Sequence, residues 1–241
     1  MSITAVGGEV IVPPNENGPA FHLSHTHPDT GAVTTLGFEK FIDSEVVNPR
    51  LDQVAAYIAP LMARTKRPED NIWVPVMAGA SQAADNIMQR VCAIDLGIGP
   101  EVMPMKVKSY NGTEGGTLDM QQDAPSGFSF EGKVVWLNDE TIDGGISMDA
   151  LVRRVAKDNP LEINIVALTR KPDAHKVPMP PNDPEIQTPV HLITGFDVSN
   201  HFLLGMGMDW HGMGRWLPGT DIYRLSDGTP ATYSMPPFPA R

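Results

Sequence analysis

Short apolar runs alternate with amphipathic segments along this chain, and this alternation is the feature that most limits its fold. Four runs have the length of buried strands: 72–77, 103–108, 133–138 and 163–169. Two segments between them repeat apolar residues at helical spacing, 81–94 and 147–157. Strands that alternate with helices usually pair in parallel through right-handed crossovers. The sequence therefore predicts an α/β fold with a mostly parallel twisted sheet flanked by helices.

Charge and cysteine usage exclude several classes of partner. The formal net charge of −11 argues against a nucleic-acid face and against attraction to anionic lipid. Cys92 falls on the apolar side of a predicted helix, which favours a buried thiol over a nucleophile. No apolar run approaches the ~18 residues of a membrane span. We expect a soluble, cytoplasmic protein that binds neither nucleic acid nor a membrane.

Turn signals divide the chain into three parts. Residues 1–35 are expected to form an irregular N-terminal extension, 36–225 the main domain and 226–241 a C-terminal tail. The extension contains His22, His25 and His27, for which a polar loop is favoured over a metal site because no distant partner ligand accompanies them. Within the main domain, Asn48 and Pro49 have the residue types of an N-cap and a first helical position, so they predict a helix start.

Polar and glycine-rich loops follow the predicted strands. They are Ala78-Gly79-Ala80, Lys108-Ser109-Tyr110, the segment from Asp139 to Ser147, and Lys171. Because ligands in such sheets bind outside the carboxyl ends of the strands, these loops are expected to converge on one edge. That edge is the candidate site.

The segment VVWLNDETIDGGIS contains the clearest candidate ligand-binding residues. Gly144 and Gly145 at a strand-to-helix junction let backbone N–H groups face an anion, and the helix N-terminus adds partial positive charge. The turn therefore suits a phosphomonoester, with the Ser147 hydroxyl as a further donor. Asp139 and Glu140 can accept hydrogen bonds from the vicinal hydroxyls of a ribose, directly or through a metal ion. Taken alone, the segment also fits a solvated turn before a capped helix.

This segment resembles the phosphoribosyl pyrophosphate motif of type I phosphoribosyltransferases. The tail NHFLLGMGMDWHGMGRWLPG is similar to the region that closes the base pocket in hypoxanthine-guanine phosphoribosyltransferases. The segment VKSYNGT resembles the flexible lid loop of the same enzymes, and IVALTRKP resembles their lysine-bearing strand. The resemblance runs from about residue 38 to 225, with the segments in family order. It implies a small hood over the sheet, built from 36–48 and 172–225.

The resemblance implies an enzyme that transfers a 5-phosphoribosyl group from its pyrophosphate donor to a purine base, with Mg²⁺ as cofactor, and that assembles as a homodimer or homotetramer. The resemblance assigns Asp143 to proton transfer, and Asp139 and Glu140 to the ribose and the metal. Asp209 becomes a further metal contact. The substrate-binding residues implied are Gly144, Gly145, Ile146, Ser147, Ala78, Gly79, Ala80, Ser109, Tyr110, Lys171, Phe202, Leu203 and Arg215.

Two loops depart from the family pattern. Ala78-Gly79-Ala80 lacks the lysine that usually precedes the glycine of the pyrophosphate loop, and Gly144 and Ile146 stand where the family prefers polar residues. A longer insertion follows Lys171. Two alternatives therefore stay open: a non-catalytic regulator that binds the donor or a nucleotide, and a transferase for a non-purine or modified base.

Overall fold

The computed structural model describes residues 4–6, 8–109, 118–177 and 186–241. The strands are β1 (Thr4–Val6), β2 (Glu9–Val12), β3 (Phe21–Thr26), β4 (Val33–Ile42), β5 (Asn71–Pro75), β6 (Glu101–Val102), β7 (Lys106–Ser109), β8 (Leu118–Gln122), β9 (Val134–Ile142), β10 (Glu162–Arg170), β11 (Val190–Val198), β12 (Leu203–Leu204), β13 (Ile222–Leu225) and β14 (Ala231–Ser234). The helices are α1 (Ser44–Met62), α2 (Ser81–Ile94) and α3 (Ile146–Ala156). Among the described residues, no helix is both long and apolar enough to cross a bilayer.

The large sheet confirms the predicted α/β fold. Its strand order is β1-β2-β14-β11-β10-β9-β5-β6. The strands from β11 to β6 pair in parallel, whereas β14, β2 and β1 extend the sheet antiparallel beyond β11. Strand β5 is buried along its whole length, and β10 is buried at every position except its two ends, as expected for parallel strands covered on both faces.

The core occupies both faces of this sheet. On one face, Trp73 and Trp136 are register partners on β5 and β9, and they join a cluster that includes the inner faces of α1 and α2. On the other face, residues of the same strands pack against Leu151 and Val155 of α3. Both tryptophans are essentially fully buried. Burial on two faces explains why these strands are continuous apolar runs rather than alternating ones.

A second, four-stranded antiparallel sheet has the order β12-β13-β4-β3. Strand β3 and the first residues of β4 come from the segment that was predicted to be irregular, so that prediction is wrong. In Phe21–Thr26 half-buried and exposed residues alternate, with histidine and serine among them. This period of two is a strand signal, but the polar residues hide it from a search for apolar runs. Strand β14, in the C-terminal tail, likewise pairs into the large sheet.

The expected start of the first helix is also wrong. Helix α1 begins at Ser44, and Pro49 lies inside it. The N–H groups of Val46 and Val47 both bond to the Asp43 carbonyl at 2.8 and 2.9 Å, which closes the first turn before the proline. Val47 is fully buried with Leu51, so the apolar face reaches back beyond the predicted start. Helix α2 has the predicted bounds, and Cys92 on it is half-buried.

A buried ion pair joins the two central strands of the small sheet. Arg224 of β13 and Glu39 of β4 are register partners, their charged groups are in contact, and their side chains are 0% and 1% exposed. Arg224 Nη1 also donates to the Thr229 carbonyl at 2.6 Å, and Glu39 Oε2 accepts from the Asn15 backbone N–H at 2.8 Å. The pair therefore connects the loop before β3 to the loop after β13.

We predict that Arg224→Met lowers the free energy of unfolding by about 3–5 kcal/mol, because it leaves the buried Glu39 carboxylate without a counter-charge. Urea denaturation followed by circular dichroism measures this cost. The double variant Glu39→Gln with Arg224→Met should recover much of the loss, since no isolated charge stays buried. Arg67→Met removes a cation whose side chain is 63% exposed and should change stability little. A small cost for Arg224→Met would contradict the prediction.

Candidate functional site

The loops after β5, β9 and β10 meet at the carboxyl edge of the large sheet, as the sequence predicted. The Val76 N–H donates to the Asn138 carbonyl at 2.9 Å, just past the pairing of Pro75 with Asn138. On the other side of β9, the Lys171 N–H donates to the Ile142 carbonyl at 2.9 Å. Strand β9 continues four residues beyond its predicted end, because β10 pairs with it as far as Ile142. The acid pair thus lies on a strand end rather than in a turn.

Glu140 is packed tightly between two glycines. A Cβ on Gly79 would overlap the Glu140 carboxylate. Gly207 has φ +103°, and a Cβ there would overlap the Gly79 carbonyl and lie 3.5 Å from Glu140 Cβ. The Thr169 hydroxyl donates to the Glu140 carbonyl at 3.2 Å. Only glycine fits at 79 and 207, so the loop after β5 and the C-terminal region close directly on the acid pair.

The acid pair is electrostatically strained. Burial raises the pKa of Asp139 well above its usual range, and the adjacent Glu140 charge raises it further. Burial also raises the pKa of Glu140, while a hydrogen bond with Asp139 and the Arg215 charge act against this. Both shifts mean that two bare carboxylates are unfavourable here, and the pair favours a shared proton or a bound cation.

The carboxylates of this site fit a magnesium ion whose remaining ligands come from a substrate and water. The described residues contain no group of three or more His, Cys, Asp or Glu side chains placed to hold a metal. Mg²⁺ is commonly held by one or two carboxylates together with substrate phosphates and water. Asp139 and Glu140 can supply these carboxylates, and the strain of the pair would fall when a cation neutralises it.

Asp143 and Lys171 form an ion pair beside this acid pair. Lys171 Nζ lies 2.8 Å from Asp143 Oδ2. The lysine side chain is 7% exposed, whereas that of Asp143 is 56% exposed. The buried lysine therefore positions a carboxylate that remains accessible to a ligand. Together they offer one acceptor and one donor at a single point.

The glycine turn leads directly into α3. Gly145 has φ +79° and precedes Ile146, the first residue of the helix. The first N–H groups of a helix have no intrahelical partner, so those around Gly145, Ile146 and Ser147 can bind an anion. The Ile146 side chain is 36% exposed. Apart from the Ser147 hydroxyl, the turn contributes backbone donors rather than side-chain ones.

The predicted base-pocket tail forms a compact loop near Glu140. Arg215 contacts the Asp209 carboxylate and donates from Nη1 to the Gly207 carbonyl at 2.6 Å. Asp209 also accepts from the Gly212 N–H. The side chains of Asp209 and Arg215 are 23% and 17% exposed. Each is thus held in place by the loop while part of it stays open to solvent.

Phe202 and Leu203 have different environments. The Phe202 side chain is 41% exposed, and its ring centroid lies 6.4 Å from that of Phe38. Leu203 is buried on β12, opposite Arg224. An exposed aromatic ring on an ordered strand edge can stack on a ligand. Leu203 can offer only its backbone.

The expected lid lies at the end of the described structure. Ser109 is the last residue of β7, and its backbone pairs with that of Leu118 on β8. Tyr110 lies outside the described residues. Strands β7 and β8 form a separate two-stranded sheet, so the run predicted at 103–108 is not one strand. Met105 pairs with Val76 at the edge of the large sheet, just after β6, whereas β7 begins at Lys106 and leaves that sheet.

Several contacts of the folded chain had no signal in the sequence. The sequence does not distinguish Gly207 from the neighbouring glycines, because its close approach to Gly79 depends on tertiary packing. His25 of β3 stacks on His211, with ring centroids 3.9 Å apart. Lys176 lies against the glycine turn, where its N–H donates to the Gly144 carbonyl at 2.9 Å. None of these contacts follows from spacing along the chain.

Comparison with known proteins supports the resemblance. No family model matches the chain. The hypoxanthine-guanine phosphoribosyltransferase of Aquifex aeolicus is 28% identical over 125 residues, which is 51% of this chain and 62% of that protein. The enzyme of the same name from Mycobacterium tuberculosis is 29% identical over 80 residues, 33% of this chain and 34% of its own length. The chain thus matches less than two thirds of each of these relatives.

Solved structures extend the likeness to most of the fold. A hypoxanthine phosphoribosyltransferase from Staphylococcus aureus superposes with a TM-score of 0.61 at 20% identity, covering 78% of this chain and 90% of that one. The Trypanosoma cruzi enzyme in complex with its product IMP gives 0.61 at 20% identity, covering 77% and 92%. The chain therefore has the fold of hypoxanthine phosphoribosyltransferases and resembles the hypoxanthine-guanine enzymes in sequence over half its length.

Proposed function

We propose that this protein is a magnesium-dependent phosphoribosyltransferase that transfers the 5-phosphoribosyl group of phosphoribosyl pyrophosphate to a ring nitrogen of a purine base of the hypoxanthine, guanine or xanthine type. The products are a nucleoside monophosphate and pyrophosphate. The observation that carries this proposal is the grouping of the acid pair, the ion pair of Asp143 with Lys171, and the glycine turn of α3 at one sheet edge. Its fold, shared with hypoxanthine phosphoribosyltransferases, supports the same reaction.

The donor would bind across the end of β9. Its 5-phosphate would accept hydrogen bonds from the backbone between Gly144 and Ser147 and from the Ser147 hydroxyl. Asp139 and Glu140 would hold the ribose hydroxyls. Mg²⁺, when bound, would neutralise the leaving pyrophosphate. Asp139 and Glu140 would supply its protein carboxylates, and Asp209 would contact it through water.

The base would bind between Asp143 and Phe202. Asp143 is exposed enough to reach a ligand and would exchange a proton with the imidazole nitrogen of the purine. Lys171 Nζ, 2.8 Å from Asp143, would donate to the exocyclic oxygen. The Phe202 ring would stack on the base, and the Leu203 backbone would bond its edge.

Pyrophosphate would leave toward the loop after β5 and the C-terminal loop. Backbone amides around Ala78, Gly79 and Ala80 would bind it, and Arg215 would supply a cation. The lid at Ser109 and Tyr110 would close over the donor and exclude water. As the carbon–oxygen bond to pyrophosphate lengthens, positive charge grows on the ribose ring, and the nearby acid pair stabilises it electrostatically.

We propose a cytoplasmic homodimer or homotetramer.

One observation favours a second candidate, a regulator that binds the donor or a nucleotide without turnover. The loop after β5 contributes no lysine, and Gly79 is packed against Glu140 so closely that it admits no side chain. A site with fewer cations could bind a nucleotide and yet stabilise departing pyrophosphate poorly.

A panel of bases distinguishes the two candidates. Hypoxanthine, guanine, xanthine, adenine, orotate and uracil are each incubated with phosphoribosyl pyrophosphate and Mg²⁺, and nucleotide and pyrophosphate are both measured. We expect turnover of the 6-oxopurines. Donor binding without turnover of any base would replace the transferase with the regulator, and turnover of a pyrimidine alone would change the base class.

We predict that Asp143→Asn lowers turnover by about 100-fold or more while donor binding persists, because the amide cannot exchange the proton. Steady-state kinetics with a 6-oxopurine, together with calorimetric titration of the donor, measures both effects. Asp52→Asn is the matched control, since Asp52 is an exposed acid of α1 whose side chain is 67% exposed. Unchanged turnover would show that Asp143 is not the proton-transfer group.

We predict that Asp139→Asn abolishes turnover and stabilises the fold. In the absence of metal, the raised pKa of Asp139 means that its charged form is disfavoured by folding, so wild-type stability falls as the pH rises through that pKa. The variant has no such dependence at this position. Its advantage in free energy of unfolding should be about 1 kcal/mol or more at pH 8 and smaller at pH 5. Urea denaturation in EDTA at both pH values measures the difference, and an equal effect at both would contradict it.

We predict that Lys171→Ala lowers kcat/KM for hypoxanthine and guanine by about 10-fold or more, because the donor to the exocyclic oxygen is lost. The loss for adenine, which has an amino group at that position, should be smaller. Lys133→Ala is the control: Lys133 makes an ion pair of the same 2.8 Å length, with Asp70. An equal loss for every base would overturn the assignment of Lys171 to base selection.

A further inference from the structure

The segment after β10 folds back onto the glycine turn of α3. Two backbone hydrogen bonds hold it there: the Lys171 N–H donates to the Ile142 carbonyl and the Lys176 N–H to the Gly144 carbonyl, each at 2.9 Å. A short 3-10 helix between them spans Pro172–Ala174. Lys176 is therefore fixed, at its backbone, against the turn that precedes α3.

The side chain of Lys176 lies across Gly144. A Cβ built on Gly144 would be 3.5 Å from Lys176 Cδ, 3.6 Å from Cγ and 3.8 Å from Cε. The aliphatic stem thus occupies the space that a side chain at 144 would enter. The ammonium is one bond beyond Cε, so it is carried over the same turn whose backbone N–H groups are free to bind an anion.

The two described acids at the ends of this turn are paired with other cations. Asp143 is paired with Lys171 at 2.8 Å, and Asp149, in the first turn of α3, with Arg153 at 2.9 Å. Within the part of the chain that the structure describes, no side chain or carbonyl forms a hydrogen bond or ion pair with Lys176 Nζ. An exposed ammonium, the helix N-terminus and the free backbone donors all favour an anion at the same point.

We propose that Lys176 is a further substrate-binding residue whose ammonium pairs with the 5-phosphate of the bound donor and of the nucleotide product. This inference rests on the proposed function and adds to it a cation from outside the turn. A phosphomonoester carries a charge of about −1.5 to −2 at neutral pH, and a lysine acts on it as a point charge that needs no fixed geometry. Lys176 thus supplies the side-chain charge that Gly144 and Ile146 do not provide.

A small residue at position 144 leaves room for this arrangement. An alanine there would be in ordinary van der Waals contact with the lysine stem, since the nearest distance is 3.5 Å. A branched side chain would extend further and displace the stem. The absence of a side chain at 144 and the position of Lys176 are therefore two parts of one phosphate site.

Binding of inosine 5-monophosphate and of inosine by the full chain tests the proposal. Calorimetric titration at low salt compares wild type with Lys176→Met, Lys176→Arg and the control Lys157→Met, which removes an exposed lysine at the far end of the same helix. We expect Lys176→Met to weaken the nucleotide about 10-fold, with a smaller effect at high salt. Lys176→Arg should stay within a few-fold of wild type, and the affinity for inosine should be unchanged in every variant.

Two outcomes overturn the proposal. If Lys176→Met binds inosine 5-monophosphate as tightly as wild type, the ammonium does not contact the phosphate. If the variant loses nucleotide and inosine equally, the side chain supports the fold of the pocket rather than the phosphate. Thermal unfolding of each variant identifies this second case.

Ribose 5-phosphate separates this inference from the proposed function. Suppose that the protein turns over none of the bases but binds ribose 5-phosphate, and that Lys176→Met weakens this binding. This result would support the phosphate site and contradict the proposed transferase function. Turnover of a base with no dependence on Lys176 would keep the transferase and remove this inference. Failure of the wild-type protein to bind either phosphate compound would overturn both.

Discussion

The position of Glu140 between two glycine backbones is the constraint on which the candidate site depends. The Glu140 carboxylate leaves no room for a Cβ on Gly79, and the Gly79 carbonyl leaves none for a Cβ on Gly207. This contact joins the loop after β5, the end of β9 and the C-terminal loop. The strands themselves are fixed by parallel pairing. A shift of any one of the three segments would therefore break its contacts with the other two.

The site concentrates charge that the fold must compensate. Burial raises the pKa values of Asp139 and Glu140, so the pair costs stability whenever both are ionised. Asp143 and Asp209 are instead each held by a cation from the same region, Lys171 and Arg215. The contrast suits two tasks: a bound cation would relieve the strained pair, and the paired acids are held in position by the protein itself.

Sequence patterns predicted the parts of the fold that depend on local periodicity. The strand before the acid pair, helix α2 and the glycine turn of α3 all follow from runs of residue type, and the convergence of the loops follows from the rule for parallel sheets. Strand β3 was missed because histidine and serine occupy its exposed face, and the start of α1 because Pro49 imitates a first helical position. The contact between Gly79 and Gly207, and the place of Lys176 over Gly144, join residues far apart in the chain, so no local pattern reports them.

The buried pair of Glu39 and Arg224 has a consequence for the order in which the chain is assembled. Its two members lie on strands at opposite ends of the sequence, with the whole parallel sheet between them. During synthesis on the ribosome, β3 and β4 emerge long before β13, so Glu39 has no counter-charge until the rest of the chain has been made. The parallel strands β5, β6, β9, β10 and β11 can pair in this interval, whereas β4 can pair with β13 only after β13 has been made. The small sheet is therefore completed after the parallel part of the large sheet.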